Sequence, residues 1–550
     1  MTSRPTIAFR NAGIAILAAG VLLPATLSAA TPDQPNQMVV AQAEIGQTLI
    51  ADGDKAWQAG NPTQAADLYS RAVETGNLTS AQRAYALRAL GFVSAEIGNP
   101  DEAARAFKAS LNIEDNPGAA LGLAVSLRQA GDTAGANAAL AKVDRRVLTT
   151  DQLPFYLDEK ASASLPGNPQ AAITALEEAV SLNESVYRRV RLSQLYRQTG
   201  DTTKAQANLE KAEAALAAQP GAAADVAYAA LTSGDDAAAA RYFEQARAGG
   251  GLTSNGLADY GYALKRQGDL DGSTELFRDA IDTHDASPDA QDASGKRRLF
   301  RLRREVSYTE RTWYADAFLS FRDNSVDLVS APEAGESDSF AGWEVGYIAP
   351  QIGSMKHRAL TLFTRGFTGF EGDTLNTRDE SLQLGVGARF RPLTDHNLVF
   401  TVERLISVGD AARDAWLLVA GYSLADGLDI DPVLNDWESW NVYADVAYIP
   451  DDPRFVATNL EGWYGHSFKL SESVVLTPHV VAAARYSDDK FDTNRVVEAG
   501  PGVGLRYWFN EDKYTGPRSY FDFKVQYRYA FVNEDDRDDG AFVGTAILHY

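Results

Sequence analysis

The chain has 550 residues, enough for two or three domains, and a formal net charge of −23. This charge argues against an ordinary nucleic-acid binder, because such proteins need basic surfaces to contact phosphates. The chain contains no cysteine, which excludes disulfides, thiol catalysis and thiolate metal sites.

The first 30 residues have the pattern of a secretory signal peptide. Arg4 and Arg10 supply a positive end, residues 12–27 form an almost uncharged apolar run, and residues 28–30 are small and suited to cleavage. An uncleaved membrane anchor is the alternative. Residues 31–45 are expected to be a linker. No later segment has the ~20 unbroken apolar residues of a membrane helix, so any further contact with a bilayer must be made by strands.

Residues 46–290 carry a helical repeat of about 34 residues. Seven glycines mark it: Gly60, Gly98, Gly131, Gly167, Gly200, Gly234 and Gly268. A small residue follows each of them at Ala65, Ala103, Ala136, Ala172, Ala205, Ala239 and Ser273. A large apolar residue comes next at Tyr69, Phe107, Leu140, Leu176, Leu209, Phe243 and Phe277. Glycine ends one helix, and Asn, Asp or Pro begins the next.

This pattern resembles the tetratricopeptide repeat. It predicts a solenoid of about seven repeats with a concave groove, because each repeat buries its apolar face only against its neighbours. Such grooves bind peptides, proteins or polymers. An unrelated alanine-rich helical domain is the alternative.

Residues 291–311 are expected to be a basic linker. They contain Lys296, Arg297, Arg298, Arg301, Arg303 and Arg304. Three interpretations are open for these side chains: attraction to anionic lipid head groups, guidance of an anionic polymer, and the solvated face of a last capping helix.

From residue 312 to 550, apolar and polar residues alternate in segments of ~10 residues closed by polar turns. Twelve strands are predicted, at 312–322, 340–350, 358–370, 380–391, 397–408, 415–425, 438–450, 456–470, 474–486, 496–508, 519–531 and 541–550. The apolar face has aromatic residues at both ends, as at Phe542 and Tyr550, and the opposite face carries glycines and charges. These features predict an antiparallel transmembrane β-barrel rather than a soluble sandwich.

The alternation also assigns side chains to the lumen. The predicted lumen-facing residues are Gln383, Arg389, Arg391, Glu498, Gly500, Gly502, Gly504, Arg506, Asp522, Lys524, Gln526 and Arg528. The three glycines are interpreted either as widening the lumen for a ligand or as sites of close packing. The six histidines lack ligand-like spacing, and no catalytic motif is recognised. We therefore expect no enzymatic activity, metal or cofactor.

Residues 476–484 and 499–509, with Lys513, Tyr514 and 517–520, resemble the C-terminal domain of the NfrA-type bacteriophage N-four adsorption protein A. The resemblance covers about 437–550, and the order of signal, repeats and barrel extends it to the whole chain. Members of that family have many more repeats. The resemblance implies exopolysaccharide secretion, similar to the outer-membrane component of cellulose export.

We therefore expect an outer-membrane pore that passes a polysaccharide chain. Its periplasmic repeats would dock synthase or export proteins, and no nucleic acid is involved. The barrel would contact outer-membrane lipid and lipopolysaccharide. Acidic loops such as 533–540 are interpreted as solvated turns or as contacts with divalent ions or lipopolysaccharide. The alternative is an adhesin or phage-receptor-like surface protein whose barrel is only an anchor. Inward ion pairs that close the lumen favour the anchor, whereas an open polar channel favours export.

Overall fold

The structure, a computed structural model, describes residues 34–75, 78–165, 167–287, 289–323, 339–349, 360–370, 376–393, 396–488, 493–533 and 539–550. The predicted signal peptide lies outside these residues, and so do residues 534–538 of the acidic loop. The chain divides into two compact units, residues 1–233 and 234–550.

The described residues before position 311 form fifteen α-helices. In the first unit these are α1 (Gln34–Gln58), α2 (Pro62–Glu74), α3 (Ser80–Glu96), α4 (Pro100–Leu111), α5 (Pro117–Gln129), α6 (Thr133–Ala141), α7 (Gln152–Ser164), α8 (Pro169–Leu182), α9 (Val186–Gln198), α10 (Thr202–Ala215) and α11 (Ala223–Ser233). The second unit contains α12 (Asp236–Ala248), α13 (Ser254–Gln267), α14 (Leu270–Asp282) and α15 (Ala293–Glu310). None of the helices in this described part of the chain is both long and apolar enough to span a membrane.

The glycine pattern sets the turns between paired helices. Six of the seven marker glycines have φ between +77° and +90°, a region that favours glycine, and the exception is Gly167. Helices that follow these turns begin at an Asn or Asp cap. At α4, for example, Asn99 accepts a hydrogen bond from the backbone N–H of Glu102 at 3.3 Å.

The residues that follow each glycine form the helical core. All seven small residues are at most 6% exposed, and all seven large apolar residues are at most 4% exposed. Two further glycines, Gly91 and Gly122, make room for the ring of Phe107, because a Cβ added at either position would press against that ring. The predicted tetratricopeptide-like helical architecture is confirmed.

Residues 291–311, expected to be a linker, contain helix α15. Asp292 caps it by accepting a hydrogen bond from the N–H of Gly295 at 2.7 Å. Leu302 and Val306 are buried one turn apart, which gives the helix an apolar side. The six basic residues therefore lie on a helix.

Twelve antiparallel strands follow and close into a barrel. They are β1 (Trp313–Arg322), β2 (Phe340–Ala349), β3 (Leu360–Gly369), β4 (Gln383–Phe390), β5 (Asn397–Ser407), β6 (Ala415–Asp426), β7 (Asp436–Ile449), β8 (Phe455–Ser471), β9 (Val474–Asp488), β10 (Thr493–Phe509), β11 (Ser519–Asn533) and β12 (Gly540–His549). Each strand pairs with its neighbours in sequence, and β1 pairs with β12. The predicted barrel of twelve strands is confirmed.

The two chain ends of the barrel lie together. Ala315 and Tyr550 exchange backbone hydrogen bonds of 2.9 and 3.0 Å. We call this the helix end, because α15 leads into β1 here. The opposite end, where β1 finishes and β12 begins, is the far end.

The strands present an apolar outer face. Outward aromatic side chains are well exposed, including Phe521 and Tyr527, each 42% exposed, and Tyr550, 62% exposed. Their sequence neighbours Asp522, Gln526 and Arg528 are buried inside the barrel. The alternation along the chain is therefore an alternation between the outside and the inside of the barrel.

Candidate functional site inside the barrel

A central cavity of about 690 Å³ lies inside the barrel. Ten of the twelve strands contribute to its lining, so it occupies the lumen and not a pocket in one wall. Its polar lining residues include Ser320, Asn397, Thr401, Ser423, Tyr443, Asp445, Asn459, Glu461 and Thr545. Hydroxyl, amide and carboxylate groups of this kind can hydrogen-bond to a ligand or to water, and four arginines, Arg322, Arg389, Arg485 and Arg528, line the cavity as well.

Glu498 on β10 is the centre of a buried ion-pair network near the far end. Its oxygens accept hydrogen bonds from Arg322 on β1 at 2.7 Å and from Arg528 on β11 at 2.9 Å. Arg528 also pairs with Glu461 on β8 at 3.0 Å. Glu498 is 1% exposed, so these charges are stabilised by one another rather than by solvent.

The network extends along the wall through neutral side chains. Arg528 donates to Gln526 Oε1 at 2.8 Å, and the amide of Gln526 lies 2.8 Å from Nε2 of His479. Two predicted lumen residues, Gln526 and Arg528, are therefore held by partners on β9 and β10.

The opposite wall carries a second buried pair, between Arg365 on β3 and Glu403 on β5. It is bidentate, with both N–O distances at 2.7 Å. Glu403 is fully buried. The pair passes over β4 at Gly385, where a Cβ would overlap the Glu403 carboxylate.

Apolar side chains pack beside these pairs at the far end. Leu405, Leu417, Ile449 and Phe455, from β5 to β8, are each at most 1% exposed and contact one another in one cluster with Phe367 of β3. The far end of the lumen is thus packed by apolar groups on one side and by the Glu498 network on the other.

A third pair lies nearer the helix end. Arg389 on β4 binds both oxygens of Glu344 on β2, one of them at 2.7 Å, and Tyr314 donates a hydrogen bond to the same carboxylate. The Arg389 guanidinium also lies 4.1 Å from the centre of the Phe363 ring. Arg389 lines the central cavity from this position.

The predicted glycines on β10 lie on the inner face. A Cβ at Gly500 would overlap the backbone oxygen of Tyr527, and one at Gly502 would press on Gln526 and His479. At Gly504 the nearest side-chain atom would be 3.4 Å away. These distances favour the packing interpretation at Gly500 and Gly502.

The other predicted lumen residues divide between the two ends. Arg506 binds Asp522 at 2.7 Å near the helix end, and Lys524 lies 3.4 Å from the same carboxylate. Gln383 is near the far end, where its side-chain oxygen accepts a hydrogen bond from the N–H of Arg413 at 3.0 Å. Arg391 follows β4 and lines a second cavity at the helix end.

This second cavity, the helix-end cavity, measures about 620 Å³. Arg389, Asn397 and Val399 line both it and the central cavity, so the two adjoin. Residues of α15, including Arg304, Ser307 and Tyr308, form part of its wall.

Helix α15 binds two barrel turns at the helix end. Arg303 pairs with Glu511 at 2.9 Å and donates to the carbonyl oxygen of Thr515 at 2.9 Å, both in the β10–β11 turn. Arg304 pairs with Asp429 of the β6–β7 turn at 2.8 Å. Burial raises the pKa of Asp429, and the neighbouring Arg304 opposes that shift.

The other basic residues of α15 make fewer contacts with the barrel. Arg297 lies 3.7 Å from Asp431 of the β6–β7 turn, and Arg298 pairs with Asp289 at 2.7 Å, outside the barrel. Lys296 and Arg301 are exposed, and neither has a hydrogen bond or ion pair with a residue that the structure describes. Their contact with lipid or polymer stays a prediction.

Sequence reasoning missed Arg322, Glu344, Arg365 and Glu403 as interior residues. The alternation of polar and apolar residues in strands β1, β2, β3 and β5 could have found them, because each of these four residues lies on the polar face of its strand. Their partners could not be read from the alternation, since each pair joins strands that are not neighbours in the sheet. Among the described residues, no group of His, Asp and Glu side chains is arranged to hold a metal ion.

The chain is similar to several solved structures. A tetratricopeptide repeat protein from Parabacteroides merdae ATCC 43184 is 16% identical, with 47% of this chain and 98% of that chain covered and a TM-score of 0.39. PilF of Pseudomonas aeruginosa is 17% identical, with 46% and 99% covered and a TM-score of 0.29. MamA of Desulfovibrio magneticus RS-1 is 15% identical, with 31% and 95% covered and a TM-score of 0.29. A comparison with curated protein sequences finds no match.

Two family models match parts of the chain. Residues 188–215, within α9 and α10, match a tetratricopeptide repeat. Residues 375–545, which include β4 to β11 and most of β12, match the family described as Bacteriophage N adsorption protein A C-term. The chain therefore combines a tetratricopeptide-like helical region with a C-terminal barrel that resembles the NfrA-type adsorption proteins.

Proposed function

We propose that this protein is an outer-membrane pore for an exopolysaccharide, with its repeat region in the periplasm as a docking scaffold for synthase or export proteins. The observation that carries the proposal is the central cavity, which is lined by ten strands and adjoins the helix-end cavity. Together they give a path from the helix end into the middle of the lumen, lined by polar, aromatic and aliphatic side chains. The exposed outer face, with aromatics such as Phe521 and Tyr550, supports a lipid environment.

The wall pairs are compatible with a conduit. Arg365 with Glu403 and Arg389 with Glu344 join strands two apart, so they follow the wall. Paired side chains present little net charge, and the hydroxyl and amide side chains that line the cavity between them are groups that can hydrogen-bond to a sugar chain. Passage of a polysaccharide chain requires the packed far end of the lumen to open.

The experiment is conductance of the full-length protein in planar lipid bilayers, together with secreted polymer in the host after deletion of the gene. We expect discrete current steps and loss of a secreted saccharide. Absence of current together with unchanged secretion would overturn the proposal.

A second candidate is an adhesin or surface receptor whose barrel only anchors it. The packing of Leu405, Ile449 and Phe455 opposite the Glu498 network favours this function, because it fills the far end of the lumen. A silent barrel in bilayers, combined with loss of phage adsorption or surface attachment on deletion, would support the anchor over the pore.

A further inference from the structure

The helix-end cavity is basic in a chain of net charge −23. Six cationic side chains line it: Lys265, Arg304, Arg311, Arg389, Arg391 and Arg518. Among the described residues that line it, Glu305 is the one acidic side chain, and it binds Lys265. The cavity wall therefore carries an excess of positive charge.

Some of this charge is neutralised by the protein. Arg389 binds Glu344, and Arg304 binds Asp429. Arg311 donates a hydrogen bond of 2.7 Å to the backbone oxygen of Tyr550. Burial lowers the pKa of Arg311, and the nearby guanidinium of Arg518 contributes to the same shift.

Arg391 and Arg518 have no such direct partner, although the carboxylate of Asp512 attracts Arg518 at longer range. Neither side chain has a hydrogen bond or ion pair with any residue in the part of the chain that the structure describes. Both are half-buried, Arg391 directly after β4 and Arg518 directly before β11. These positions place both guanidinium groups at the helix end, where a partly desolvated cation is stabilised by an incoming anion.

Aromatic rings complete the wall. Tyr308, Tyr314, Trp508 and Tyr520 line the same cavity. Tyrosine and tryptophan combine a flat apolar face with a polar edge, which suits contact with sugar rings and their hydroxyl groups.

We propose that the helix-end cavity binds an anionic saccharide, a chain bearing carboxylate or phosphate groups, with Arg391 and Arg518 as its charge contacts. This inference rests on the proposed function and names the substrate class of that pore. A neutral glycan would leave both guanidinium groups without a direct partner, whereas a chain with a repeated anionic group would engage them as it enters the lumen.

The test is calorimetric titration of the full-length protein in detergent micelles with oligogalacturonate, neutral cello-oligosaccharide of equal length and inorganic phosphate. We expect binding of oligogalacturonate that weakens with added salt, and no heat from the neutral chain. The double variant R391Q/R518Q should bind about tenfold more weakly or worse, because it loses two charge-assisted contacts. The control R71Q/R454Q removes the same charge at side chains that are 57% and 63% exposed, and should bind as the wild type does.

Equal binding of the neutral chain, or unchanged affinity in R391Q/R518Q, would overturn the inference. If inorganic phosphate bound as tightly as oligogalacturonate, the cavity would be a general anion site, and the inference that it binds a saccharide would be overturned. Failure of the pore is distinguishable from failure of this inference. A protein that carries no current, leaves secretion unchanged on deletion and still binds oligogalacturonate overturns the pore alone, and a conducting protein without this preference overturns the anionic site alone.

Discussion

Arg365 on β3 and Glu403 on β5 form a bidentate ion pair across β4, and Gly385 is the residue beneath them. Arg365 is 3% exposed and Glu403 is fully buried. The pair holds two strands that are not neighbours, and it depends on the missing side chain at Gly385.

Gly385→Ala is expected to destabilise the barrel, because the added Cβ would occupy the position of the Glu403 carboxylate. Breaking a buried pair of this kind costs about 3 kcal/mol or more. The measurement is the temperature at which the detergent-solubilised barrel unfolds. Gly421→Ala is the control, because its Cβ would meet no atom closer than 3.4 Å. An equal loss of stability in both variants would contradict this account of Gly385.

Replacement of both ion-pair partners should be tolerated better than replacement of one. Arg365→Met alone leaves the Glu403 carboxylate buried without its partner, at a cost of about 3–5 kcal/mol, whereas the double variant R365M/E403L removes both charges. We expect the double variant to unfold at a higher temperature than either single variant. Additive losses in this double-mutant cycle would show that the two side chains act independently.

Arg303 is expected to hold α15 against the barrel. Its guanidinium binds Glu511 and two backbone oxygens of the β10–β11 turn, at Asp512 and Thr515. Arg303→Ala should therefore increase local opening, and hydrogen exchange of residues 293–310 and 510–518 should rise about tenfold or more, the equivalent of losing one charged hydrogen bond. Arg301→Ala, an exposed position on the same helix, is the control and should leave exchange unchanged. If protection from hydrogen exchange persists in Arg303→Ala, the apolar residues of α15 rather than Arg303 hold the helix against the barrel.

The sequence predicted the barrel more completely than it predicted the lumen. Alternation located all twelve strands, because inside and outside alternate residue by residue, as in Phe521 to Tyr529. It did not predict that Arg365 reaches Glu403, since that contact depends on strand register and on Gly385. For residues 291–311 the sequence left a linker and a last capping helix open, because six basic residues concealed the apolar side formed by Leu302 and Val306.

Asp54 in α1 is expected to stabilise the first helices. Its carboxylate accepts hydrogen bonds from the hydroxyls of Tyr69 at 2.6 Å and Tyr85 at 2.9 Å. Burial and these bonds to Asp54 raise the pKa of both hydroxyls, so both remain protonated donors. Asp54→Ala leaves two partly buried donors unsatisfied and should cost about 1–3 kcal/mol in thermal unfolding followed by circular dichroism. The control is Asp52→Ala, at a side chain 46% exposed, for which we expect a loss below about 0.5 kcal/mol.

Asp282 at the end of α14 should make the attachment of this helix to the barrel sensitive to acid. Lys513 of the β10–β11 turn lies 2.6 Å from its carboxylate, and Tyr514 donates to it at 3.2 Å. The hydrogen bond from Lys513, followed by that from Tyr514, lowers the pKa of Asp282. A carboxyl group whose pKa is lower in the folded state stabilises that state above its unfolded pKa, and this contribution is lost as pH falls through the folded value. Asp282→Asn should therefore unfold at a lower temperature than the wild type at pH 7, and the difference should vanish as the pH falls below the ordinary aspartate range. Because the pair is exposed, the effect should also shrink with added salt. A difference that persists after protonation of the carboxylate, or that ignores salt, would show that packing at position 282 rather than its charge supports the contact.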